Sequence, residues 1–312
     1  MTPAAIETLH QQLLAALQTP TAEARRLFHG RGRQWPGLEQ VTVDWLSELV
    51  LVCLFRDPGE QGLALLRDHL LALAQTPEWQ GSGARHLLLQ HRYRQDSGTD
   101  YLVGEPIDSW QIVESNLRYQ LDFGRKQNTG LFLDMRLGRD WVREQAAGKR
   151  VLNLFAYTCG FSVAAIAGGA ERVVNLDMAR AALSRGRDNH RLNGHDLSRV
   201  EFLGHELFKS WGKVKKGGPY DLVIIDPPSF QKGSFALTQD YAKILRRLPE
   251  LLTEQGTVLA CVNDPAIGPG FLIEEMAREA PSLRFIERLE NPVEFADVDP
   301  EAGLKALVFT QG

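Results

Sequence analysis

Hydrophobic positions recur at two spacings along this chain, and the change from one to the other maps its elements. Leu9, Leu13, Leu14 and Leu17 return every three or four residues, which predicts an amphipathic helix over residues 1–17. Residues 63–74 repeat that spacing after the breaker Pro58-Gly59. Between them the pattern alternates (Val41, Val43) and then runs apolar over 49–55, as strands do, with turns at Gly30-Arg31-Gly32 and Pro36-Gly37. A further strand is expected at 84–91, then a polar loop to about Gly98. Residues 107–114 and 117–123 read as a hairpin turning at Ser115-Asn116.

From Val151 onward short apolar runs alternate with helical stretches. The runs lie at 151–155, 173–176, 200–203, 220–225 and 257–262, with closing strands at 283–289 and 304–310. Helical spacing fills 134–145, 161–167, 179–193, 237–252 and 271–280. The near-continuous apolarity of 220–225 marks a strand buried on both faces. Strands alternating with helices make a Rossmann-like, doubly wound α/β sheet. A chain of 312 residues suits two domains: an N-terminal α+β domain over 1–124, its strand order not legible, and the α/β domain over 125–312.

Charge and cysteines narrow the class. A net charge of -4 argues against a strongly basic nucleic-acid glove, while leaving room for local patches. Basic residues recur at 85–94, 180–191 and 209–216, each either a nucleic-acid-facing patch or a solvated face. No apolar run approaches the roughly 18 residues of a membrane span, and the N-terminal segment has no signal-peptide core. Cys53, Cys159 and Cys261 lie far apart without metal spacing, which points to a reduced, cytoplasmic setting.

The chemistry centres on VLNLFAYTCGFSVAAIAGGAERVVNLD, 151–177: a strand, a glycine turn, a small-residue helix and a second strand ending at Asp177. Such a unit binds a nucleoside, with the acid accepting hydrogen bonds from ribose hydroxyls. Only Gly160 stands in the turn, so the full G-x-G-x-x-G that crowds a pyrophosphate is missing. S-adenosylmethionine carries a ribose and no phosphate, and a loop with one glycine is sufficient for it. Asn153, Phe155, Tyr157, Thr158 and Gly160 are the candidates to line it on this turn. Glu206 follows the third strand, where it either meets an adenine amine or is a solvated loop carboxylate. Asp226-Pro227-Pro228-Ser229-Phe230 ends the fourth strand and is the most specific short motif in the chain. Two prolines remove N–H donors that would compete for the local carbonyls. With the Asp226 carboxylate those carbonyls can take hydrogen bonds from a planar amine, and Phe230 offers a face for stacking a base.

NTGLFLDMR (128–136), VLNLFAYTCGFS (151–162), VVNLD (173–177) and DLVIIDPPSF (221–230) resemble the class I S-adenosylmethionine-dependent methyltransferases. The nearest branch is the bacterial 23S rRNA methyltransferases, whose members modify cytosine C5 or a guanine ring nitrogen; RLFHGRGRQWPGL (26–38) is similar to the turn that opens that branch's central α+β domain. The resemblance implies S-adenosylmethionine as cofactor and RNA, above all ribosomal RNA, as substrate, with a protein or small-molecule acceptor as the alternative. It places Phe132, Asp134 and Arg136 on a segment folded over the cofactor, where the two charged groups pair with each other, with the methionine ends, or with solvent-facing partners. It also puts 291–299 in line to border the acceptor pocket.

Three departures qualify it. The helix at 1–17 is too short for the small RNA-binding module that some relatives carry. Cys159 stands where relatives often have a second glycine. Asn263 occupies the position of the nucleophilic cysteine of cytosine-C5 relatives, and Cys261, two residues earlier, packs in the sheet. Cytosine-C5 methylation needs a thiolate to attack C6, so a nitrogen acceptor is favoured.

Overall fold

The structure, a computed structural model, describes residues 1–96, 98–123, 128–231 and 235–312, without the side chains of Phe230 and Gln231. The expected boundary at 124–125 falls outside the described residues. Two compact units result: Met1–Leu133 with Val293–Pro300, and Asp134–Pro292 with Glu301–Gly312. Among the described residues no helix is long and apolar enough to cross a membrane.

In the first unit, helix α1 (Pro3–Leu17) starts where Thr2 accepts the Ala5 N–H at 3.2 Å and Pro3 pre-sets the first turn. Its stripe of Ile6, Leu9, Leu13 and Leu17 is buried. A five-stranded sheet runs β1 (Arg25–His29), β2 (Val41–Trp45), β3 (Leu49–Leu54), β4 (His86–His91), β5 (Thr99–Val103). Only β3 and β4 are parallel, joined by a crossover through α2 (Gly59–Leu73) and α3 (Pro77–Ser82). All six β3 residues are buried. The hairpin β6 (Ser109–Glu114) and β7 (Leu117–Asp122) turns at Ser115 and Asn116, both at positive φ (51° and 62°), as expected. Strands β1 and β5 and helix α3 are additions to the expected elements. The β5 residues are all half-buried, so alternation has nothing to mark.

The second unit opens with α4 (Arg136–Gln145), entered through a 3-10 turn at Leu133–Met135 that begins in the first unit. Then come β8 (Arg150–Leu154), α5 (Gly160–Ala167), β9 (Arg172–Leu176), α6 (Arg180–Leu192), β10 (Val200–Leu203), α7 (Trp211–Gly217) and β11 (Tyr220–Ile225). The short pair β12 (Phe230–Gln231) and β13 (Phe235–Ala236) leads into α8 (Leu237–Leu245), α9 (Leu248–Leu251) and β14 (Leu252–Val262). Helix α10 (Gly270–Glu279), β15 (Leu283–Leu289) and β16 (Lys305–Gln311) complete it. The single helix expected over 237–252 is broken because Pro249 cannot donate within a helix, and the chain is already strand at Leu252.

The sheet order is β10-β9-β8-β11-β14-β16-β15, with β16 antiparallel to its neighbours. Strand order reverses between β8 and β11, the switch point beyond whose carboxyl ends ligands bind in open α/β sheets. Both faces are covered. Leu152, Leu154, Val174, Val223 and Ile225 pack with Val214, Tyr241, Ile244 and Met276 on one side. Val151, Val173, Leu222 and Ile224 pack with Val142, Phe161 and Ala165 on the other.

Candidate active site

At the end of β8 the backbone takes an unusual path. Phe155, Tyr157 and Cys159 all have positive φ (57°, 47° and 63°), although none is glycine. Such positions cost of order 1–3 kcal/mol each and persist only when the surroundings over-determine them. Here Ala156 N–H donates to Leu176 O at 3.1 Å, and Cys159 N–H to Ala156 O at 2.7 Å. Asp177 Oδ2 accepts Tyr157 N–H and its Oδ1 accepts Ala179 N–H, both at 2.8 Å. Asn189 on α6 donates to Thr158 O at 3.0 Å. The Cys159 side chain fills the space left by Gly186 of α6, where an added Cβ would collide with the sulfur. Burial pushes that thiol far above its ordinary range, in keeping with a sulfur packed against α6.

Asp177 is therefore the clasp that joins the tips of β8 and β9. Burial raises its pKa, and the N–H groups of Ala179 and Tyr157 oppose that shift. A slot opens beside it, walled by Phe155, Leu176, Met178, His205, Glu206, Leu207 and Phe208. Glu206 faces this slot while its Oε1 caps the following 3-10 turn by accepting Phe208 N–H at 2.8 Å. The slot thus gathers groups from the ends of β8, β9 and β10.

Asn153 points elsewhere. Its side chain is 1% exposed and donates to Asn175 Oδ1 at 2.9 Å. Asn175 donates to Ser162 Oγ, which meets His190 Nε2, each at 2.9 Å, and His190 Nδ1 meets His195 Nδ1 at 3.0 Å. Burial, then His195, pushes His190 down to about 3, which favours its neutral imidazole, and burial pushes His195 down as well. This chain of side chains ties α5 and α6 to the sheet under the loop, and the structure places Asn153 there instead of among groups that line the slot.

The groups expected from the sequence to hold the acceptor lie at the ends of β11 and β14. Asp226 has its pKa raised to about 7 by burial and by Asp134, with Arg139 opposing. Asp134 in turn accepts from Asn263 Nδ2 at 3.3 Å, and Ser229 Oγ donates to Asn263 O at 3.2 Å. Asn263 is exposed at the strand end; Pro227 is buried and Pro228 exposed. Arg136 is the first residue of α4, directly after this Asp134 turn. The Phe230 side chain lies outside the described residues, and Phe132, in the first unit, is exposed. Cys261 is 0% exposed, and burial, Asp226 and Asp134 all push its thiol up.

Two further groups hold these strand ends, and neither carried a signal in the sequence. Tyr241, fully buried on α8, donates its hydroxyl towards Ile225 O (3.3 Å) and Cys261 O (3.1 Å), bridging β11 and β14 just before Asp226 and Asn263. Lys305, also 0% exposed, donates to Asp264 O at 2.6 Å and Glu301 O at 3.3 Å, fixing the loop after β14. Residues Val293–Pro300 group with the first unit, where Val298 N–H donates to Gly32 O at 2.9 Å and Asp297 pairs with Arg33 at 2.7 Å.

The sequence is similar to YwbD of Bacillus subtilis, provisionally named a ribosomal RNA large subunit methyltransferase, at 26% identity over 98% of this chain and 82% of that protein. Ribosomal RNA large subunit methyltransferase I of Aeromonas salmonicida is 36% identical over 52% of this chain, which spans only 42% of that longer protein. A provisionally named S-adenosylmethionine-dependent methyltransferase from Streptococcus mutans shares the fold with TM-score 0.83 and 24% identity, over 98% of this chain and 81% of that one. Residues 25–310 match the S-adenosylmethionine-dependent methyltransferases. With its strand order, its clasped turn and that match over nearly all its length, the chain belongs to the S-adenosylmethionine-dependent methyltransferase family.

Proposed function

We propose that this enzyme methylates a base of ribosomal RNA at a nitrogen, and that it works in the cytoplasm. The names of its relatives support the RNA acceptor; the first unit is then the part that recognises the substrate. The residues present fit S-adenosylmethionine: Asp177 and Glu206 offer carboxylate acceptors for ribose hydroxyls and an amine, and the acidic strand ends suit a cationic ligand. When bound, it supplies a methyl group already activated by a sulfonium.

The nitrogen reading rests on the end of β14. A cytosine-C5 route needs a thiolate there, yet Asn263 holds the exposed position and Cys261 is enclosed, where burial first, then Asp226 and Asp134, push its thiol up. A nitrogen attacks with its own lone pair and asks the chain only for position and an outlet for its proton. Asp226, tuned to about 7, suits both tasks: its carboxylate accepts the N–H that orients the base and then takes that proton. Tyr241 and Lys305 keep the surrounding strand ends in register.

Mass spectrometry of digested ribosomal RNA from a deletion strain, with and without complementation, tests this reading. A single N-methylated nucleoside should vanish and return. Loss of 5-methylcytidine, with a covalent adduct on 5-fluorocytosine-substituted RNA that Cys261→Ser abolishes, would show the thiol to be the nucleophile. No change in any nucleoside would move the acceptor outside ribosomal RNA.

A further inference from the structure

The parallel pair β3 and β4 ends side by side, Leu54 opposite His91, and β1 ends at the same edge of the five-stranded sheet. Phe55 emerges there, half-buried, between two arginines. The Arg31 guanidinium carbon lies 4.5 Å from its ring centroid and that of Arg92 lies 4.9 Å away. Next to them Arg94 sits over Tyr93 at 5.4 Å, and Arg56 is exposed beside Phe55. Arg92 also donates to Asn128 Oδ1 at 2.7 Å, which fixes its head. In a chain of net charge -4, this gathers cations and aromatic rings at one end of one sheet.

We propose that this end of the sheet, centred on Arg31, Phe55 and Arg92, is where the enzyme holds single-stranded RNA outside the catalytic pocket. The inference rests on the RNA reading above. Aromatic rings and guanidinium planes stack on bases of any sequence, and arginine forks bridge phosphate oxygens. A guanidinium already parked over a ring has little rotamer freedom left to lose on binding. An acidic peptide would answer the charge but offers no planar face to stack on a ring-backed guanidinium, as a base does, so the alternation of ring and fork favours nucleic acid.

Binding of a fluorescent single-stranded RNA to the full-length protein, titrated over several salt concentrations, tests it. Arg31→Ala and Arg92→Ala should each weaken binding roughly tenfold, and each should flatten the salt slope by about one. Phe55→Leu, which keeps the apolar volume, should weaken binding about tenfold with the slope nearly unchanged. Calorimetric affinity for S-adenosylhomocysteine should stay as in the parent, which reports an intact second unit. If the parent binds RNA and the three variants bind it equally well, the surface is misassigned while the RNA reading stands. If the parent binds no RNA, the reading beneath it fails too. Preference for an acidic peptide that competes RNA away from this face would overturn the assignment in favour of a protein partner.

Discussion

In the proposed mechanism Asp226 sets catalysis against stability, and Asp226→Asn separates the two. Burial and Asp134 carry its pKa from 3.8 to about 7, so the folded state keeps a proton that the unfolded chain has already lost. Across that window the native state binds more protons, and stability falls as pH rises. The penalty is absent below about pH 4 and complete above about pH 7. Some three pH units at about 1.36 kcal/mol each make it at most about 4 kcal/mol. An amide of the same shape carries no charge to bury, so the variant should be more stable than the parent. The gain should be about 1.5 kcal/mol at pH 5 and, at most, about 4 kcal/mol at pH 8. Urea denaturation at the two pH values, with equal slopes, measures it. Turnover should collapse in the same protein, because an amide cannot take the proton, while calorimetric affinity for S-adenosylhomocysteine holds. A variant no more stable at pH 8 than at pH 5, relative to the parent, would refute the electrostatic reasoning. A fully active one would remove Asp226 from the chemistry.

Asp177→Ala should weaken S-adenosylmethionine binding by one to two decades, from about 1.5–3 kcal/mol of lost charge-assisted hydrogen bonding, and calorimetry reads it directly. Gly186→Ala should destabilise by about 1–3 kcal/mol through overpacking against the Cys159 sulfur; adding Cys159→Gly should recover much of that, so melting of the double variant reports the coupling. Tyr241→Phe strips the hydroxyl from two buried carbonyls and should cost about 1–2 kcal/mol in a denaturant titration, with kcat falling more than cofactor affinity. Cys261→Ser should keep most activity in a methyl-transfer assay, since the thiol only packs.

The second unit was largely legible because parallel strands covered on both faces write themselves as unbroken apolar runs. Val151, Val173, Tyr220 and Thr257 each open or fall within such a run. Gly160 and Asp177 were legible because turn and acid sit at fixed places between those runs. Elements that are half-exposed left no such trace: β1 and β5 lack a clean alternation. Asn153 shows where position misleads. A strand-end amide looks the same in sequence whether it faces a ligand or, as here, another amide across the sheet. Tyr241 and Lys305 are isolated polar residues whose partners are backbone carbonyls far along the chain, and carbonyls carry no sequence signature. The αL backbone at Cys159 was foreshadowed only by the resemblance, which has glycine there.

The return of Val293–Pro300 to the first unit governs the order in which this protein can be made. The turn Gly30–Gly32 is shaped to receive that segment: Val298 N–H bonds to Gly32 O, and a Cβ on Gly32 would strike Ala296 O. As the chain leaves the ribosome, Leu133 emerges roughly 160 residues ahead of this last piece, a delay of about 8 to 30 s at ordinary rates of synthesis. For that time the Gly30–Gly32 turn has no segment to cover it, and the Arg26 and His29 side chains have no Phe295 to pack against. A fragment ending at Leu133 lacks that segment altogether. Newly made protein therefore passes through a vulnerable interval in which proteases and chaperones meet a surface that the finished molecule hides.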